Sequence, residues 1–170
     1  MTQPATKTKP FADQLERLRG ARDAYHELRP AVIAGEPWPL AEQFGTEPEA
    51  RWGPSEVMAH VAEMLPFWLG EVERILAAST GPAPFGRVIT NELRIATIER
   101  DRTLPARELF DRIDSSIGRL ERRLSELSPA EAGRSGIHPM RGEMTLPEVT
   151  EQFVVHHLEE HVAQLRDALS

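Results

Sequence analysis

Two imidazoles stand four residues apart in the stretch Phe153-Val154-Val155-His156-His157-Leu158-Glu159-Glu160-His161. On an α-helix, positions i and i+4 share a face and lie roughly 6 Å apart along the axis. His157 and His161 can then reach one metal ion. The line that carries them runs Leu146, Val149, Phe153, His157, His161, Gln164 and Ala168, with Leu165 and Leu169 beside it, so both rings are expected to point inward. His156 falls at the edge of that stripe. The same spacing also suits hydrogen-bonded core histidines, and Leu158 stands where a zinc protease would carry its general-base glutamate. A third imidazole, His60, lies on the apolar side of a second helical pattern, Val57, Val61, Met64, Leu65, Trp68, Val72, Ile75 and Leu76. Glu63 follows it by three residues on the same face. A histidine and a carboxylate so spaced can be ligand and orienting partner, or ligand and general base. The alternative is a satisfied buried histidine beside a solvated glutamate.

The elements that must position these residues are four long helical patterns. The first runs Phe11, Leu15, Leu18, Ala21, Tyr25, Leu28 and Val32 and ends near Gly35, with Pro30 in its last turns as an early stop or a bend. His26 lies at its flank and reads as a surface residue. A loop rich in proline and glycine follows, from Gly35 to Trp52, with Trp38 and Trp52 expected to pin it to the bundle. Gly53-Pro54-Ser55-Glu56 opens the second helix, and Pro66 predicts a kink within it. Residues 87–102 fit either a short helix across the bundle mouth or an extended crossover. Thr103-Leu104-Pro105 starts the third helix, with Leu109, Ile113, Ile117, Leu120, Leu124 and Leu127 as its core line. Ser128-Pro129-Ala130-Glu131 has capping-box spacing and predicts one more short turn. Gly133 to Glu143 reads as a long loop with His138 exposed, and Thr145-Leu146-Pro147-Glu148 caps the last helix.

The chain has 170 residues, enough for one domain with a real core, expected over 11–170 behind a frayed tail at 1–10. The fold class expected is all-α: an up-down four-helix bundle with long crossover connections. In such bundles metal sites are built between facing helices. No apolar run suits a membrane span or a signal peptide, so a cytoplasmic location and no membrane partner are expected. The absence of cysteine leaves only nitrogen and oxygen ligands for a metal. A formal charge of −7 argues against nucleic acid as a partner. His60 meeting His157 and His161 would supply three nitrogen ligands and leave a position open, as in catalytic sites.

Trp52-Gly53-Pro54-Ser55-Glu56-Val57-Met58-Ala59-His60-Val61, followed in order by Thr145-Leu146-Pro147-Glu148 and His157-Leu158-Glu159-Glu160-His161-Val162-Ala163-Gln164-Leu165, resembles the DinB-like superfamily of metal-binding four-helix bundles. The likeness covers nearly the whole chain after about residue 11. It implies a histidine triad of His60, His157 and His161, a divalent ion, zinc or nickel, and a homodimer. Members with known activity include mycothiol- and bacillithiol-dependent transferases and isomerases, which implies a low-molecular-weight thiol and a small-molecule substrate. Two metal-dependent functions are therefore expected, beside the reading of a structural bundle that holds no metal. One is a metal-dependent thiol S-transferase or isomerase, with Glu63 as the candidate catalytic proton carrier. The other is a non-catalytic metal-binding or stress-related bundle. Arg87, Arg94 and Arg141 suit either a carboxylate ligand or a charged surface.

Overall fold

The computed structural model describes residues 9–42 and 49–170. Most of the tail expected at 1–10, and part of the first connection, lie outside the described residues. Seven α-helices are present among those described: α1 (Ala12–Ala34), α2 (Pro54–Ala77), α3 (Glu92–Asp101), α4 (Ala106–Glu126), α5 (Pro129–Ala132), α6 (Leu146–Thr150) and α7 (His156–Ala168). A π-helical segment, Glu151–Val155, joins α6 to α7, so the two act as one long rod. Helix α1 runs through Pro30 and stops at Gly35, whose N–H bonds the Ala31 carbonyl. Helix α2 runs through Pro66. Capping boxes start α5, from Ser128 and Glu131, and α6, from Thr145 and Glu148. No helix among the described residues is long and apolar enough to cross a membrane.

The four rods form a ring in the order α1, α4, α2, α7, so α1 and α2, successive in the chain, face each other across the diagonal. Ion pairs give the directions. Arg22 meets Asp114 and Glu121 while Arg29 meets Asp111, which makes α1 and α4 antiparallel. Arg17 meets Glu151 and Glu159, and Arg166 meets Glu27, which makes α1 and the last rod parallel. In chain order the rods run up, down, down, up. Long connections follow from this, because neither parallel nor diagonal rods can be joined by a tight turn. Leu18, Tyr25, Met64, Leu65, Ile113, Ile117, Val154 and Leu158 are among the side chains buried between the rods.

Residues 87–102, which fit two conformations in sequence, contain α3, whose first turn is capped by Asn91 accepting from the Arg94 N–H. The segment 133–143 is not the open loop expected, and His138 is buried rather than exposed. It forms a hairpin of β2 (Ser135–His138) and β3 (Gly142–Thr145), with β1 (Ala83–Pro84) parallel beside β2. Gly136 allows this pairing: a Cβ there would fall 2.7 Å from the Phe85 ring and 2.8 Å from Ile75. His138 is drawn in because its ring stacks on Phe153 at 5.0 Å and Glu71 fixes the neighbouring turn by accepting from the Gly86 N–H.

Candidate metal centre

Antiparallel packing of α2 against the last rod sets His60, in the second turn of α2, opposite His157 and His161. Nε2 of His157 lies 2.9 Å from Nε2 of His60 and 3.0 Å from Nε2 of His161. One ring nitrogen carries either a proton or a lone pair, so it cannot make a good hydrogen bond to both neighbours. The same short spacing suits a shared cation, since two nitrogens bound tetrahedrally to zinc stand about 3.3 Å apart. The three rings have a fourth companion, Glu49, and ligand atoms of all four lie within 4.8 Å of one another. The Glu49 carboxylate oxygen Oε2 is 3.8 Å from Nε2 of His60 and of His157, while Oε1 accepts from the buried Arg94 guanidinium.

The protonation state favours ligation. Burial holds the His60 imidazole well below its ordinary range, with neighbouring His161 and Arg94 acting in the same direction. Burial likewise lowers His157 to about 3 and lowers His161. All three rings are therefore neutral at pH 7, the form that binds metals. The tautomer of His161 follows from Gln164. Its side-chain amide donates to the carbonyls of Glu49, at 2.7 Å, and Trp52, at 3.2 Å, which leaves Oε1 to accept from Nδ1–H of His161 at 3.0 Å. The proton is then on Nδ1 and Nε2 faces the cluster bare. Nδ1 of His60 is buried with no hydrogen-bond partner among the described residues, and that of His157 stands 3.6 Å from Glu160. Trp52 meets the edge of the His60 ring at 5.6 Å.

Glu63 lies elsewhere. Both of its oxygens are taken by Arg87, at 2.5 and 2.6 Å, and it is not one of the clustered residues. Arg87 also covers the Phe67 ring at 3.8 Å, so the pair ties the crossover to α2. The carboxylate at the histidines is Glu49, in a 3-10 turn, Glu49–Arg51, ahead of α2, where no sequence pattern marks it. Gln164 does carry a signal, three residues after His161 on the same helix face. His26 is a surface residue, bonded to Asp114.

The centre sits at one end of a cavity of about 370 Å³ between α2 and the last rod, bordered by His60, His157 and Glu49. Trp68 and Phe153, stacked at 4.3 Å, and His138 form an aromatic wall. Of the line read as core, Leu146, Val149 and His161 are buried, whereas Phe153, His157 and Gln164 are only half buried, and Phe153 and His157 face this cavity. The core line runs one residue over, through Val154, Leu158, Val162 and Leu165.

A family model described as the DinB superfamily matches residues 12–165. The chain belongs to the DinB superfamily. The match takes in Glu49, His60, His157, His161 and Gln164, so the centre of this DinB-superfamily chain lies wholly inside it. The fold is similar to a solved structure described as "YfiT from Bacillus subtilis is a probable metal-dependent hydrolase with an unusual four-helix bundle topology". The two align with a TM-score of 0.62 at 17% identity, over 99% of this chain and 91% of that one. No curated protein matches the sequence.

Proposed function

We propose that this DinB-superfamily protein is a divalent-metal-dependent enzyme that activates a low-molecular-weight thiol for S-transfer. His60, His157 and His161 would hold zinc or nickel. The observation that carries the reading is the convergence of three neutral imidazole nitrogens at the end of a ligand-sized cavity. A purely structural ion would need no such space beside it. When bound, the ion would lower the pKa of a thiol enough to keep it as thiolate at neutral pH.

The chain's own residues supply the rest. The Glu49 carboxylate, oriented by Arg94, stands 3.8 Å from two of the imidazoles and can accept the proton that a thiol gives up. That assigns to Glu49 the proton-carrying role expected of Glu63, whose oxygens are held by Arg87. Gln164 keeps Nε2 of His161 unprotonated, and Trp68 and Phe153 give the cavity an apolar wall beside the imidazoles.

The test is to load the protein with zinc or nickel and supply a cellular thiol with an epoxide or monochlorobimane. Thioether formation that stops on chelation supports the proposal; no conjugate with any thiol overturns it. Glu49 also favours a second reading, hydrolysis, because a carboxylate beside a metal site can equally deprotonate water, and the YfiT description names a hydrolase. Ester or amide cleavage by the loaded protein without added thiol would decide for it. A bundle whose ion only stabilises would lose melting temperature on chelation and show neither activity.

A further inference from the structure

The ionised groups that line the cavity are three arginines, Arg87, Arg94 and Arg141, against one carboxylate, Glu49, in a chain whose formal charge is −7. Local positive charge on an acidic protein is informative, because the net field of the molecule works against collecting anions there. Two of the three guanidinium groups are already engaged, Arg87 by Glu63 and Arg94 by Glu49. Arg141 is different. No carboxylate lies within ion-pair distance of it among the described residues. Glu143, Glu148 and Glu151 line the adjoining groove with it, yet each is committed elsewhere. Glu143 accepts from Ser135, Glu148 closes the Thr145 capping box, and Glu151 pairs with Arg17. The Arg141 guanidinium sits instead over the Phe153 ring at 5.5 Å, close enough to His138 to help lower that imidazole's pKa, after burial.

Phe153 precedes His157 by about one helical turn, roughly 6 Å along the axis. The cavity thus has metal-ligating imidazoles at one end, an apolar middle made by Trp68 and Phe153, and an unpaired cation at the other. Its outer lip is apolar too, since Ile89 and Met140 border the cavity and are each 76% exposed.

We propose that Arg141 is a specificity residue, and that the cavity selects small amphipathic anions: molecules with an apolar, preferably aromatic, body and a carboxylate set on the Arg141 guanidinium. This rests on the proposed function in taking the same cavity as the substrate site, but it concerns charge selection and needs no metal to be examined.

The experiment uses metal-free protein, 3-phenylpropionate and its neutral counterpart 3-phenylpropionamide, with binding followed by calorimetry, for wild type, Arg141→Gln and Arg141→Lys. Because Arg141 is exposed, wild type is expected to favour the carboxylate by about fivefold, the upper range for a solvated ion pair. The preference should shrink in high salt. Arg141→Gln should bind both probes alike and hold the amide as wild type does, and Arg141→Lys should keep part of the preference. Equal binding of the two probes by wild type, or an unchanged preference in Arg141→Gln, overturns the proposal. Zinc titration of the same preparations separates the two ideas. Zinc bound without carboxylate preference defeats only the role of Arg141, whereas carboxylate preference without zinc binding defeats only the metal reading.

Discussion

Replacing Gln164 by leucine tests how the centre is held together. The substitution keeps similar bulk but removes three hydrogen bonds at once: the acceptor for Nδ1 of His161, and the two donors to the carbonyls of Glu49 and Trp52. Each such bond is worth about 1 kcal/mol net, so the metal-free protein should lose on the order of 1–3 kcal/mol. Loss of an orienting partner typically weakens metal binding by about 10–100-fold, equivalent to about 1.4–2.7 kcal/mol. The expected value is toward the upper end, because His161 is the one imidazole of the three whose Nδ1 is fixed by a side-chain hydrogen bond. Gln164→Glu separates the two contributions. It keeps an acceptor for Nδ1 of His161 and loses both donors, so it should destabilise the metal-free protein while retaining more zinc affinity than the leucine variant. Affinity would be measured by competition with a chromophoric chelator, and stability by urea melts of metal-free protein. Wild-type zinc affinity in Gln164→Leu would refute the argument. Equal losses in both variants would show that the effect passes through the Glu49 turn and not through the imidazole tautomer.

Zinc at one hundred times its dissociation constant should stabilise the protein by about 2.7 kcal/mol, seen as a rise in melting temperature that EDTA reverses and that His157→Ala lacks; equal shifts in the two proteins would remove His157 from the site. In metal-free protein, burial holds His60, His157 and His161 neutral, His157 down to about 3, while the unfolded chain takes up protons below about pH 6.5, so their contribution is present above that pH and is lost as pH falls. Each group adds up to about 1.4 kcal/mol per pH unit to the slope, and urea melts between pH 7 and 5 should show a shallower decline in His157→Gln than in wild type; identical slopes would count against the buried neutral state. Gly86 has φ +82°, and a Cβ on it would fall 2.4 Å from the His138 ring, so Gly86→Ala should cost about 1–3 kcal/mol in a thermal melt. Gly70→Ala, on an open face of α2 with nothing within 4 Å, should instead gain up to about 1 kcal/mol, and equal effects at the two sites would contradict the geometry.

The rods were legible in sequence because each carries a long periodic apolar line, and the histidines because they interrupt such lines. The phase within the last rod was not. Phe153, His157 and Gln164 look like core positions by type and spacing, and an aromatic cavity wall has the same chemistry as a core. The π segment Glu151–Val155, where the His156 N–H reaches the Glu151 carbonyl, adds a shift that no proline or glycine announces. The hairpin around His138 was hidden for another reason. Its strands are only four residues each, too short for alternation to show, and they are held by contacts with Phe85 and Phe153 that come from distant parts of the chain. Glu49 and its partner Arg94 are 45 residues apart, and their pairing follows only from the path of the two connections.

That path explains how the parts of the site are divided. The up, down, down, up order obliges each connection to travel, and each delivers a side chain to the same seam between α2 and the last rod. The first brings Glu49 and Trp52, the second Arg87 and Arg94, the third His138 and Arg141. The rods contribute His60, His157 and His161, each next to a buried core residue: Ala59 and Val61 beside His60, Leu158 beside His157 and Val162 beside His161. The charges at the cavity are therefore set by the connections, while the imidazoles and the aromatic wall of Trp68 and Phe153 belong to the rods and cannot move without repacking them. Substitutions in the connections should alter which ligand is accepted, and substitutions flanking the histidines should alter whether a metal is held at all.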